Sequence, residues 1–211
     1  MSKILVLLTF ISFLTTFSQN RKYSYVKKVN GVVVESDSTN NLNDVIKKDV
    51  KINKSDIDLS LIEKEFGRLM NNYLDSIKKK KKNYNTCLFN MTNHHLNYLT
   101  KINFDRDYLI EKNKNHHYED DPTFRSLKDR YLYFSKDDNP NLSLAEILSF
   151  NNVDTEDETE LANNFLNSFL KSKPHKEIID SNQYNYFLMK CGFDQSKHII
   201  MVVCFSSETF N

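Results

Sequence analysis

The chain has 211 residues, enough for one or two domains with a real core, and 29 Lys+Arg against 28 Asp+Glu leave a formal charge of +1. That balance excludes a nucleic-acid or acidic partner drawn in by the field of the whole protein. Three cysteines exclude a disulfide scaffold, because at most one intramolecular bridge could form.

In chain order, Lys3 is followed by an apolar run from Ile4 to Phe17, with Thr16 and Ser18 at the small-residue positions of a cleavage site. Residues 1–18 therefore read as a secretory signal peptide. The run is short for a bilayer span and no later stretch reaches the length required, so the mature chain is expected to be secreted or periplasmic, without a transmembrane segment. Residues 19–58 read as an N-terminal extension. Within it, Asn30-Gly31 between β-branched and aromatic residues is a hairpin signal, and Asp37 to Asp56 is a polar linker.

From residue 59 the pattern sharpens. Ser60 and Glu63 have capping-box spacing, and Ile62, Phe66, Leu69, Met70, Tyr73, Leu74 and Ile77 form one helix face. The following run, Lys78 to Lys82, reads as a solvated helix end where cations suit the macrodipole, in preference to an anionic-surface contact. A second helix is predicted from Thr86 to Ile102. His95 lies on its apolar face and reads as a satisfied core residue rather than a ligand. Cys87 sits among apolar positions, where a thiolate is disfavoured. Pro122 to Phe134 is aromatic, basic and partly helical. A further helix opens with Thr155 and Glu158 at capping-box spacing, carries Leu161, Phe165, Leu166, Phe169 and Leu170 on one side, and is expected to stop at Pro174.

After the proline the period changes. Residues 184–193 and 198–206 read as adjacent antiparallel strands, the second buried on both faces. A tight turn between them sets Cys191 opposite about residue 200 and leaves Cys204 off register, so both cysteines are expected to be free and buried. The fold class is α+β, with helices covering a small antiparallel sheet.

Several short segments, in order, resemble the CAP family, also called SCP domains, which groups cysteine-rich secretory proteins, antigen 5 and pathogenesis-related 1. Phe169, Ser172, Pro174, His175, Lys176, Ile178 and Ile179 are similar to the segment that ends a helix in an aromatic, a Ser, a Pro or Gly, and a His. Asn72-Tyr73, then Leu88, Met91-Thr92, His95-Leu96 and Leu99, resemble the first two helices. His117, Pro122 and Arg125 resemble a His followed by Pro-x-x-Arg, and Glu146 in "LAEIL" resembles the family's glutamate element. The resemblance covers residues 59 to 206. It implies an α-β-α sandwich in a CAP-like domain spanning 59–211, with a cleft where His117, Glu146 and His175 converge. The second family glutamate has no match, and Ile147 stands where an Asn is usual.

The resemblance implies a non-enzymatic binding module whose ligand is a lipid, a peptide or an envelope component, acting as a monomer and without nucleic acid. The alternative is a metal-assisted hydrolase using His117, Glu146 and His175. Two imidazoles and a carboxylate are a common zinc set, so a divalent cation such as zinc would be held by His117 and His175. No catalytic residue is assigned: Ser172, three before His175, is expected to bond helix carbonyls rather than act as a nucleophile. If the helix ends at Pro174, the macrodipole should raise the pKa of His175, whose ring should face the cleft while Lys173 and Lys176 face solvent.

Overall fold

The computed structural model describes residues 27–29, 32–34, 56–102, 116–136, 139, 141–195 and 198–210. Residues 1–18, read above as a signal peptide, the Asn30-Gly31 pair and residues 37–55 of the expected linker lie outside the described residues. The chain divides into two units, Met1–Val50 and Lys51–Asn211. In the first, β1 (Lys27–Val29) pairs antiparallel with β2 (Val32–Val34), Val29 opposite Val32.

The second unit is organised around its most apolar segment. "HIIMVVCFS" forms β6 (His198–Ser206), in which Ile199 to Val203 are each fully buried. It pairs antiparallel with β5 (Tyr186–Phe193) on one side and with β4 (Leu144–Asn152) on the other. β3 (Asn83–Tyr84) lies parallel to β5, so the order is β3-β5-β6-β4 and the sheet is mixed rather than purely antiparallel. β4 is a strand that the sequence pattern does not announce.

Strand alternation divides the core in two. Ile199, Met201, Val203 and Phe205 face a layer built from α1 (Leu59–Ser76), α4 (Glu158–Lys171) and α5 (Lys173–Asp180). Ile200, Val202 and Cys204 face a layer that includes α2 (Phe89–Lys101) and α3 (Leu127–Ser135). A sheet apolar on both faces needs helices on both, and the result is an α-β-α sandwich.

The helix starts differ from expectation. Asp58 caps α1, accepting from the Ser60 N–H at 2.9 Å and the Leu61 N–H at 3.3 Å. Glu63 is not part of a capping box. It takes the Cys191 N–H at 3.0 Å and the Lys190 ammonium at 2.8 Å, covering the edge of β5 beyond the two residues paired by β3. Asp157, not Thr155, caps α4, accepting from the Glu160 N–H at 3.0 Å. The second predicted helix begins with a 3-10 turn, Thr86–Leu88, before α2.

The largest correction falls at the proline. α4 ends at Lys171, Ser172 takes extended geometry, and α5 begins at Lys173 with Pro174 in its first turn, where the missing N–H leaves no helix bond unmade. His175 is therefore in the first turn of a new helix instead of at the end of the old one.

Cys191 and Cys204 are free and buried, with Cys191 opposite Met201 and Cys204 opposite Leu188. Cys87 is exposed, contrary to its reading as an apolar helix position, because it sits in the 3-10 turn ahead of α2. Among the described residues, no helix is long and apolar enough to cross a membrane.

Candidate functional site

Glu146 is on edge strand β4, opposite Cys204 of β6. Alternation puts it on the same face as Leu148, under the layer holding α2 and α3. Its side chain is only 2% exposed, so the carboxylate must be paired.

Three cations or potential cations surround it. Arg130, fully buried on α3, donates from Nη2 to Glu146 Oε2 at 2.8 Å. His117, in the segment before α3, has Nδ1 2.9 Å from Oε1. His95 Nε2 lies 3.6 Å from the same oxygen. Burial alone would raise the pKa of Glu146, but His95, the His117 hydrogen bond and Arg130 outweigh it and hold the group down to about 2.

A second buried carboxylate completes the cluster. Glu119 has Oε1 2.9 Å from His95 Nδ1 and Oε2 3.2 Å from His94 Nε2, and Arg130 Nη1 is 3.6 Å away. The other nitrogen of His95, Nε2, lies 2.9 Å from the His116 carbonyl oxygen, so both ring nitrogens face acceptors. Arg130 Nη1 also donates to the Phe124 carbonyl at 3.2 Å and the His117 carbonyl at 3.4 Å. The guanidinium thus joins α3, β4 and the 117–124 loop.

Glu119 carries no mark of a site in the sequence, and His95, which reads there as an ordinary core residue, belongs to the ion network. Arg125 of the Pro-x-x-Arg segment is exposed; its carbonyl accepts the Glu119 N–H at 2.9 Å.

Of the three residues expected in the cleft, His117 and Glu146 are in direct contact. His175 stands in the other helical layer, edge-on to Phe169 with ring centroids 5.5 Å apart. Among the described residues it makes no hydrogen bond to either partner. It lies within electrostatic reach of His117, and burial followed by that neighbour lowers its pKa. The expected upward shift is overturned: the ring stands in the first turn of a new helix, half-buried against Phe169, and burial rather than a C-terminal dipole sets its direction. Lys173 faces solvent, while Lys176 bonds Asp180 and lies 5.7 Å from the centroid of the Tyr73 ring.

A cavity of about 550 Å³ opens beside the cluster, lined by His117, Leu127, Tyr131, Leu142, Leu144 and Glu146, among others. Leu127, Leu142 and Leu144 give it apolar surface, and Ser126, Lys128 and Asn139 add polar surface beside His117 and Glu146. Tyr131 is 3% exposed and its hydroxyl has no hydrogen-bond partner among the described residues. Cys204 Sγ is 3.7 Å from Glu146 Oε2. Burial and the adjacent carboxylate push its pKa up, which keeps the sulfur a neutral thiol.

The network carries a pH signature. The folded-state pKa of Glu146 is depressed, so its contribution to stability is present above the ordinary value of 4.5 and is lost as pH falls from there toward about 2. His116 is lowered to about 4, by burial first and then by His117 and His95. Its preference for the neutral ring adds a loss of stability between pH 6.5 and about 4. Thermal melts should therefore decline in two stages on acidification, with Glu146→Gln flattening only the lower one. A melting temperature unchanged from pH 7 to 3 would contradict this assignment.

No protein-family model matches the chain, and no curated protein matches it in sequence. Among solved structures, an outer surface protein from Borrelia burgdorferi is similar at 16% identity and a TM-score of 0.49, over 74% of this chain and 97% of that one. An extracellular protein containing a SCP domain from Bacillus anthracis is similar at 15% identity and a TM-score of 0.43, over 70% of this chain and 40% of that one. Likeness at this level carries no argument about activity, and the α+β sandwich stands on the strand order and the two-sided core of this chain itself.

Proposed function

We propose that residues 59–211 act as a secreted, CAP-like binding module whose cleft is bounded by His117, Glu146 and His175. The observation that supports this most directly is the His117–Glu146 contact of 2.9 Å at the wall of a cavity lined by both apolar and polar side chains. Ligand sites are commonly apolar concavities with a few fixed polar groups. The ion network behind Glu146 makes that wall rigid, because the Arg130 guanidinium occupies one carboxylate oxygen and His117 the other. The apolar run before Thr16 to Ser18 is the ground for reading the module as exported.

Metal-assisted hydrolysis is the second reading. Zinc would need His117, His175 and an oxygen of Glu146, yet both of those oxygens are engaged, one by a buried arginine. A set of two histidines and a glutamate thus fits poorly unless the ion pair is broken. The two histidines alone could hold a divalent cation weakly, with Glu146 orienting the ring of His117.

Two titrations separate the readings. Anilinonaphthalene sulfonate, an amphipathic anion, should bind the full chain and lose at least tenfold in affinity in Leu142→Arg, which fills the cavity; equal affinity would remove the cavity from the proposal. Zinc alone, followed by calorimetry, should give weak heats that disappear in His117→Ala and in His175→Ala. A tight wild-type site with ester hydrolysis dependent on both histidines would favour the enzyme instead.

A further inference from the structure

The basic run after α1 belongs to neither the core nor the cleft. Lys78, Lys79, Lys80 and Lys81 are all exposed, whereas Lys82 turns inward and donates to the carbonyls of Ser181 at 2.7 Å and Tyr184 at 2.9 Å. The turn is ordered by its own bonds. Lys78 takes the left-handed conformation with φ 57°, the Lys79 N–H closes onto the Leu74 carbonyl at 2.8 Å, and Asn71 brackets the Lys82 backbone at 2.9 and 3.0 Å. Those backbone bonds occupy terminal carbonyls of α1, so compensation of the helix dipole does not account for four successive outward cations.

The cations crowd one another. Lys82 is lowered to about 8, by burial first, with Lys79 and Lys80 adding to the shift against Asp180. Little nearby offsets them. Lys81 pairs with exposed Asp75 at 3.4 Å, and Lys80 reaches the side-chain oxygen of Asn185 at 3.0 Å. Among the described residues no acidic side chain pairs with Lys78, Lys79 or Lys80.

Two apolar side chains flank the run in solvent, Ile77 at 39% exposure and Tyr84 at 56%. Tyr84 lies on edge strand β3, within about 10 Å of chain from Lys81. It is also one wall of a groove with Gly67, Phe187 and Met189 that has Lys64 at its side. Along the chain the positive cluster therefore lies between an exposed aliphatic side chain and an exposed aromatic one, the latter edge-on to Phe187 at 6.1 Å.

We infer that the Lys78–Lys81 turn, flanked by Ile77 and Tyr84, is a docking surface for an anionic phospholipid bilayer. Ammonium groups meet lipid phosphates without a fixed geometry, and Ile77 and Tyr84 reach the headgroup level where aliphatic and amphipathic rings are favoured. Lysine alone, with no arginine in the run, suits diffuse attraction to a charged surface better than the bidentate recognition of single phosphates. Nucleic acid is disfavoured by the apolar flanks and by a net charge of only +1. Each lysine held near an anionic surface contributes about fivefold in partitioning.

Flotation of the full chain with vesicles of phosphatidylcholine alone, or with 30% phosphatidylserine, tests this directly. Comparison of the two compositions cancels any insertion by the apolar N-terminal run. The chain should prefer anionic vesicles, and the preference should vanish in 1 M salt, where screening acts within about 3 Å. Lys78→Asn, Lys79→Gln and Lys80→Gln combined should reduce partitioning roughly a hundredfold, Tyr84→Ser by a smaller factor. A control losing the same charge elsewhere, Arg125→Gln, Lys171→Gln and Lys173→Gln, should stay within a few fold of wild type. Equal binding to both vesicle types, an equal loss in the control, or tight capture by heparin or DNA without vesicle binding would each overturn the inference.

Discussion

Arg130→Met should lower the free energy of unfolding by about 3–5 kcal/mol, measured by urea denaturation at pH 7. Arg130 is fully buried, and its guanidinium lies 2.8 Å from Glu146 and 3.6 Å from Glu119. Removing it strands two carboxylates away from water, which costs far more than the ion pair contributes by itself. The double variant Arg130→Met, Glu146→Leu should recover part of the loss, since only Glu119, which keeps its contacts to His94 and His95, then lacks the arginine. A loss below about 1 kcal/mol in the single variant would mean that water or a rotated partner already serves the carboxylates. Without Arg130, Glu146 would no longer be held against α3 and the 117–124 loop, and the proposed cleft would lose that wall.

Phe169→Ala should cost a similar amount, about 3–5 kcal/mol, through the cavity it leaves. Phe169 is fully buried, edge-on to Phe66 at 5.8 Å, and carries His175 on its other side. Phe165→Ala removes an equally buried ring from the same helix and is the control. Both should lose stability, but only Phe169→Ala should let water reach His175 and move its titration up toward the ordinary histidine range, followed by NMR. An unchanged His175 titration in Phe169→Ala would show that the His117 charge, rather than burial, sets that group.

These two predictions concern opposite sides of the sheet. On one side of the sheet His175 rests on an apolar ring; on the other, Glu146 rests on a closed set of charges. The two residues are thus held by different physics, and acid should weaken the Glu146 side first as His116 protonates below its ordinary range and then as Glu146 does.

Much of the architecture was determined by the sequence alone. Continuous apolar character from Ile199 to Val203 required a strand covered on both sides, and the stripes of α1, α2 and α4 supplied the covers. The free cysteines also followed, because the short turn between β5 and β6 sets their register. Caps were less legible, since Asp58 and Ser60, or Thr155 and Asp157, are interchangeable by residue type, and only backbone geometry chooses between them. β4 was hidden because Glu146 and Ser149 interrupt its apolar pattern, and both are buried by partners distant in sequence.

The same reason governs the site. His117 and Glu146 are 29 residues apart, and Glu119 meets His95 across 24, so no local spacing marks them. One signal was present: Leu127, Arg130, Tyr131 and Phe134 share a helical face, which puts a charged residue within a stripe otherwise apolar. A cation there must be buried with an anion, but the sequence cannot name that anion. Proline shows the converse limit, because Pro174 is equally compatible with ending one helix and beginning the next. Packing against the sheet selected the second, and with it the lowered pKa of His175. Local residue preferences thus determined which segments are helices and strands, while burial of charges contributed from separate elements decided how the cleft is built.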